Sequence, residues 1–402
     1  MHAHGAPNAV AERPRLDMAQ IFRARGEDFR RSHALSGQQV KVMRAIERCR
    51  TEALGGHVDL CESCGYFSIS YNSCRNRHCP KCQSLNQAKW IEERIARILP
   101  TNYFHVVFTL PRALAPVALA APRTIYDLLF AASSKALLQL GRDPKRLGGQ
   151  LGITTVLHTW TRKLELHPHV HCIVTGGGLS RDADRWIVAR GRDRYLFPVL
   201  VLSRLFRGKF MAGLARRFAK GELGLSLDEF ERLKKQLYDH EWVVYAKRPF
   251  AGAEHVYRYL GRYTHRVGIS NQRLRDITDD TVTFATRGDV TVTLTHDEFL
   301  SRFLLHVLPH SYVKIRHFGL MASSNATTKL ETARRLLEAQ GARSPERPEP
   351  ADSWQDFLER LTGEDLRHCP VCKAPLVRYD LKVFLATRGP LEAMRKGKGP
   401  DP

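Results

Sequence analysis

The chain has 402 residues, enough to bury a substantial core in two or three domains. Lysine and arginine number 63 against 41 acidic residues, a net charge of +22 that calls for a polyanionic partner, with nucleic-acid phosphates first among them. No apolar run approaches bilayer length and the opening MHAHGAPNAVAERPR lacks a secretory h-region, so a cytoplasmic, nucleoid-associated protein with no membrane partner is expected, whose nine cysteines read as metal ligands before disulfides.

Residues 1–35 mix arginine with proline and glycine and are expected to form a partly disordered arm. Residues 36–99 are a candidate zinc-binding, DNA-binding domain, closed by a helix over 85–99 that stops at Pro100. From 100 to 328, strand-like and helical runs alternate. YFHVVFTL, GITTVLHTW, HVHCIVTG and WVVYAK have the β-branched and aromatic content of strands. TIYDLLFAASSKALLQL and the strongly basic LSRLFRGKFMAGLARRFAKG read as helices. A helix carrying Tyr259 and Tyr263 comes next, then strand signals in VGISNQRL, TVTFATR and VTVTLT, then an amphipathic helix over 297–308. The mixture predicts an α+β domain with a mainly antiparallel sheet. Residues 329–352, which carry RSPERPEP, are expected to be a linker, and 353–402 a C-terminal tail with a lone C-x-x-C at Cys369 and Cys372.

Eight soft or borderline ligands crowd the segment from Cys49 to Cys82, enough for two tetrahedral zinc sites. The two C-x-x-C pairs, Cys61 with Cys64 and Cys79 with Cys82, form the first expected quartet, although the 14-residue gap between them is short for a zinc ribbon. Cys49, His57, Cys74 and His78 form the second. Four thiolate or imidazole ligands leave no open coordination position, so these zinc ions are expected to organise the fold rather than to catalyse. Arg75, Arg77 and Lys81 are the candidate phosphate contacts of this module.

Catalysis is expected elsewhere. Strand side chains alternate between faces, so His169 and His171 in HPHVHCIV share one face and can grip a divalent ion, Mg2+ or Mn2+, that polarises a scissile phosphate. Two histidines leave room for a third ligand. His158, Glu165 and His167 are the candidates, with His158 favoured because it lies on the preceding strand. In the predicted helix, Tyr259 and Tyr263 stand one turn apart on one side, as two phenolic nucleophiles would. Arg258, Arg262 and Arg266 are near enough to steady phosphates. Histidines for a metal and paired tyrosines together point to nicking and rejoining of DNA.

YNSCRNRHCPKCQ, HPHVHCIVTGGG, RYLGRYTHRVGISN and KIRHFGL resemble, in order, the sequence blocks of the two-tyrosine HUH rolling-circle transposases of bacterial insertion sequences, over roughly residues 35 to 325. The resemblance implies an antiparallel-sheet HUH endonuclease domain preceded by a small zinc-binding domain, with His169 and His171 as the metal pair. It also implies that Tyr259 and Tyr263 cleave single-stranded DNA through 5′-phosphotyrosine intermediates. No phosphate-loop helicase motif is present, so unwinding is expected from host replication proteins and a helicase. A replication initiator or relaxase of the same chemistry, and a non-catalytic zinc-dependent DNA-binding regulator, are the competing expectations.

Overall fold

The computed structural model describes residues 16–95, 97–189, 195–247, 268–288, 290–344, 351 and 353–388. The chain opens with helix α1 (Met18–Ser32), where Asp17 caps the N-terminus and Gln20 completes a capping box. Ser36 and Gln39 repeat that device at α2 (Gly37–Arg48). Strands β1 (Gly56–Leu60) and β2 (Phe67–Tyr71) form a hairpin, and α3 (Gln83–Ile95) leads into the larger domain.

That domain is built on β3 (Tyr103–Thr109), β4 (Gln150–Trp160), β5 (Leu166–Leu179), the short β6 (Trp186–Val188), β7 (Val244–Ala246) and β11 (Ile315–Gly319). Between them come α4 (Ala115–Ala120), α5 (Pro122–Arg142), α6 (Val199–Ala219) and α7 (Leu227–Tyr238). The sheet runs β11-β4-β5-β3-β7, with every neighbouring pair antiparallel and β6 added to β5. Alternation gives it two unlike faces. Phe104, Val106, Phe108, Val170, Cys172 and Val174 face α4 to α7 and make the largest core. On the other face, Tyr103, Val156 and Ile173 pack with Ile95, Ile98 and helix α9 (Lys329–Ala339), and the same face carries His158, which is buried, and His169 and His171, which are half-buried.

A second sheet, β8 (Leu274–Ile277), β9 (Thr281–Ala285) and β10 (Thr291–Thr295), is an antiparallel meander followed by α8 (His296–Leu304). It shares a core with α1 and α2 through Phe22, Phe29, Met43, Phe284 and Phe303. The segment 16–35 is therefore a packed structural element and not a disordered arm, because Ile21, Phe22 and Phe29 recur at helical spacing and Phe22 meets the Phe303 ring edge-on at 5.4 Å. The expected linker is corrected in the same way: α9 buries Leu330, Ala333 and Leu337 over residues 329–339. One glycine of the KIRHFGL block is fixed by sterics. Gly319 has φ +61°, and a Cβ there would lie 1.9 Å from the Leu151 carbonyl oxygen.

Beyond α9, helix α10 (Trp354–Thr362), strand β12 (Val377–Asp380) and helix α11 (Leu381–Arg388) return to the N-terminal part of the chain. β12 pairs with β1 to give a third sheet, β12-β1-β2. The predicted tail thus adds a strand to the N-terminal sheet.

Candidate functional site

His158 lies on β4 directly opposite His169 on β5, and His171 follows two residues on along the same face. One ring nitrogen from each of the three comes within 4.8 Å of the other two. The ring centroids of His158 and His171 are 4.4 Å apart, and those of His158 and His169 are 5.4 Å apart. The alternatives for a third ligand do not join them. Glu165 is exposed and bonded to Thr161, and His167 contributes its carbonyl oxygen, which accepts from His169 Nδ1 at 2.7 Å.

That bond fixes the His169 tautomer, since a carbonyl can only accept: the proton is on Nδ1, and the Nε2 lone pair is left for a ligand. His171 Nδ1 is 2.8 Å from Nε2 of His105 on β3. A proton on His171 Nδ1, shared with His105, leaves Nε2 of His171 as the donor atom. Burial pushes His169 down to about 4 and His171 well below its ordinary value, with His158 adding to the second shift, so both rings are neutral at physiological pH. Neutral imidazoles with outward lone pairs fit a divalent ion. Trp160 stacks on His158 at 4.7 Å and holds its plane.

The three histidines open onto a cavity of about 430 Å³ whose walls include Trp160, Arg162, Gly268, Ser270 and Arg273. Arg273 is held in place by donation from Nε to the Ala285 carbonyl at 2.8 Å, and Arg162 by donation to the Thr286 carbonyl at 3.0 Å. His105, Trp160, Arg162 and Arg273 were not singled out from the sequence. The signal for His105 was its place in the strand run YFHVVFTL, whose odd positions share a face. Tyr259, Tyr263, Arg258, Arg262 and Arg266 lie outside the described residues. The described chain on either side of them reaches the histidines: Gly268 lines the cavity, and the Lys247 amide donates to the His105 carbonyl at 3.0 Å.

Eight of the nine cysteines gather into two groups, but not in the expected sets. Cys49, Cys74, Cys79 and Cys82 form one group and Cys61, Cys64, Cys369 and Cys372 the other, each with its sulfurs within 4.8 Å of one another. The two N-terminal C-x-x-C pairs therefore do not share a site, and neither His57 nor His78 joins one. His57 sits on β1 between Ser70 and Asp380, away from both groups. His78 is buried with both ring nitrogens engaged, Nδ1 with Asn76 Oδ1 at 3.0 Å and Nε2 accepting from the Leu308 amide at 3.2 Å. Burial holds its pKa down at about 3. In the first group, Cys49 and Cys82 sulfurs are 3.4 Å apart and Cys74 and Cys82 sulfurs 3.6 Å. Four ligands at the usual zinc–sulfur distance would put neighbouring sulfurs about 3.8 Å apart. Among the candidate phosphate contacts here, Arg75 is exposed, whereas Arg77 donates to the Tyr312 carbonyl and Lys81 pairs with Asp17 at 2.6 Å. Arg77 thus docks this unit onto the larger domain, and Lys81 ties it to the start of α1.

Comparison with known proteins agrees with this architecture. Residues 21–110 match a family model described as "Transposase zinc-binding domain", of the IS91 type, and residues 152–328 match one described as "Putative transposase". A protein of Sinorhizobium fredii named "Putative transposase y4qJ" is 45% identical over 389 residues, which cover 93% of this chain and 97% of the relative. The chain belongs to the IS91-type transposase family. A more distant relative within the alignment reach of this transposase is the "Transposase for insertion sequence element IS801" of Pseudomonas savastanoi pv. phaseolicola, 27% identical over 84% of this chain and 83% of its own. Membership makes DNA the partner of the transposase and zinc the metal of its N-terminal domain. No described helix is long and apolar enough to cross a membrane.

Proposed function

We propose that this transposase nicks and rejoins single-stranded DNA through 5′-phosphotyrosine intermediates during rolling-circle transposition, with Tyr259 and Tyr263 as nucleophiles. The observation that carries the reading is the trio His158, His169 and His171 at a cavity whose wall contains Gly268. Five residues of extended chain span at most roughly 18 Å, so the backbone at Tyr263 is tethered within that distance of Gly268. His158, His169 and His171 would hold the catalytic divalent ion, which when bound supplies Lewis-acid polarisation of the scissile phosphate. Their all-nitrogen donor set suits Mn2+ better than Mg2+, which prefers oxygen ligands.

The residues of the chain do the rest. Arg162 and Arg273 offer guanidinium groups at the cavity wall to orient the phosphodiester. A tyrosine oxygen attacks phosphorus and the P–O3′ bond breaks; the phenol proton is passed on to the leaving oxygen, so the upstream fragment departs with a free 3′-hydroxyl while the downstream fragment stays joined to the tyrosine through its 5′-phosphate. Attack by a DNA 3′-hydroxyl later reverses the linkage and frees the phenol. Arg258, Arg262 and Arg266 flank the phenols in sequence and are assigned to phosphate contacts, as is Arg75 in the zinc-binding domain. Host replication proteins and a helicase would supply the single strand.

The test is direct. Purified protein, Mn2+ or Mg2+ and end-labelled single-stranded element ends are mixed, denatured and resolved by electrophoresis. A labelled band at the mass of protein plus DNA fragment is expected, lost on chelation. Binding with no covalent adduct would instead support a regulator.

A further inference from the structure

Two C-x-x-C turns more than 300 residues apart in sequence have the same backbone design. In CESCG the Gly65 amide donates to the Cys61 carbonyl at 2.9 Å, and the Cys61 amide donates to the Tyr66 carbonyl at 2.8 Å. In CPVCK the Lys373 amide donates to the Cys369 carbonyl at 3.0 Å, and the Cys369 amide to the Ala374 carbonyl at 2.8 Å. The residue after the second cysteine is left-handed in both, with φ +73° at Gly65 and +64° at Lys373. Each turn then feeds a strand, β2 in one case and β12 in the other, and both strands pair with β1.

The turns face each other. Cys61 and Cys372 sulfurs are 3.4 Å apart, Cys64 and Cys369 sulfurs 3.6 Å, and all four converge within 4.8 Å. We propose that Cys61, Cys64, Cys369 and Cys372 hold a second structural zinc ion that fastens residues 353–388 to the N-terminal domain. The matched zinc-binding model ends at residue 110, so half of this ligand set lies outside it. Convergence of all four sulfurs on one point is what a tetrahedral ion requires, whereas two disulfides need only two separate pairs. The surrounding fold calls for such a staple. Its buried core is Val58, Leu60, Leu381 and Phe384, too small to hold a three-stranded sheet alone. Arg378 adds a two-pronged contact to Asp59 at 2.6 and 2.8 Å, and Arg360 reaches Glu92 on α3 at 2.9 Å. All four thiols give up their protons to solvent as the ion binds, and the closed shell leaves no position for substrate.

The test uses the full chain purified under reducing conditions, with zinc measured by mass spectrometry. Wild-type protein is expected to carry two equivalents, and the Cys369→Ser, Cys372→Ser protein one fewer. In that variant limited proteolysis should release the segment after residue 353 while the catalytic domain stays protected. Cobalt substitution of the wild type gives a second readout independent of any variant: two equivalents of tetrathiolate charge-transfer absorption are expected. Unchanged zinc in the double variant, a single cobalt equivalent, or recovery of these cysteines as disulfide-linked peptides would each overturn the proposal. None of these readouts depends on DNA cleavage, so the staple and the nicking reaction can fail separately.

Discussion

His105 Nε2 lies 2.8 Å from His171 Nδ1, with the two rings nearly parallel at 13° and their centroids 5.0 Å apart. The contact joins β3 to β5 on the face that carries the histidine trio, and with the proton on His171 Nδ1 it leaves Nε2 as the lone-pair donor. His105 thus acts on the candidate metal site through its neighbour, as a positioning residue. Replacing it with alanine is expected to weaken catalytic-ion affinity about 10- to 100-fold. Adduct formation measured against Mn2+ concentration should shift by that factor and recover at saturating ion, with zinc content unchanged. An unshifted titration would remove His105 from the site.

Tyr259→Phe and Tyr263→Phe each delete one hydroxyl. Each is expected to keep DNA affinity within about twofold while transposition drops by orders of magnitude, and the double variant should form no covalent adduct. Tryptic mapping of the wild-type adduct should find the nucleotide on one of these two residues. A nucleotide mapped to any other side chain sinks the assignment.

Asp17 ties three parts of the chain together. Its carboxylate caps α1 through the Ala19 amide at 3.1 Å, pairs with Lys81 beside Cys82 at 2.6 Å, and accepts from Asn271 Nδ2 at 3.0 Å. Asp17→Ala should cost roughly 1–3 kcal/mol, since a cap and a largely buried ionic partner are lost together. Asp17→Asn keeps a good cap and removes only the charge, so urea denaturation should rank it between wild type and alanine.

Acid should destabilise the fold through histidines buried neutral. His306 donates from Nε2 to the Leu164 carbonyl at 3.1 Å, and His317 accepts from Arg94 at 3.1 Å. Burial holds both at about 4, below the ordinary 6.5, and Arg94 adds to the shift at His317. Between these values the unfolded chain binds more protons than the native one. Stability is therefore complete above about pH 6.5, falls as pH drops from there toward 4, and levels below. Urea midpoints at pH 7.5 and pH 5 should differ in that sense, and His317→Gln should flatten the slope.

The histidine pair was legible because a strand's two-residue period is local: HPHVH states the shared face without reference to the rest of the chain. His158 needed only the assumption that neighbouring strands pair. Tyr259 and Tyr263 rest on helical spacing and resemblance alone, since they lie outside the described residues. Cysteine pairing was not legible in the same way. Cys61-x-x-Cys64 and Cys79-x-x-Cys82 have equal claim to each other by spacing, and the true partners of the first pair are set by strand pairing across the whole catalytic domain. A usable signal was present: CESC and CPVC are each followed within a few residues by a short alternating strand, FSISY and VRYD, whereas CPKC runs straight into a helix. Within the expected arm and linker, arginine, proline and glycine content masks the periodic apolar residues of α1 and α9.

The sulfurs of Cys61 and Cys372 belong to residues 311 positions apart. A ribosome therefore exposes one half of this cysteine cluster long before it makes the other, and a polypeptide that ends early, by nonsense mutation or stalled translation, cannot complete the cluster. Assembly of the first domain waits on synthesis of the last, so a broken copy of the gene yields a product whose N-terminal sheet lacks its third strand.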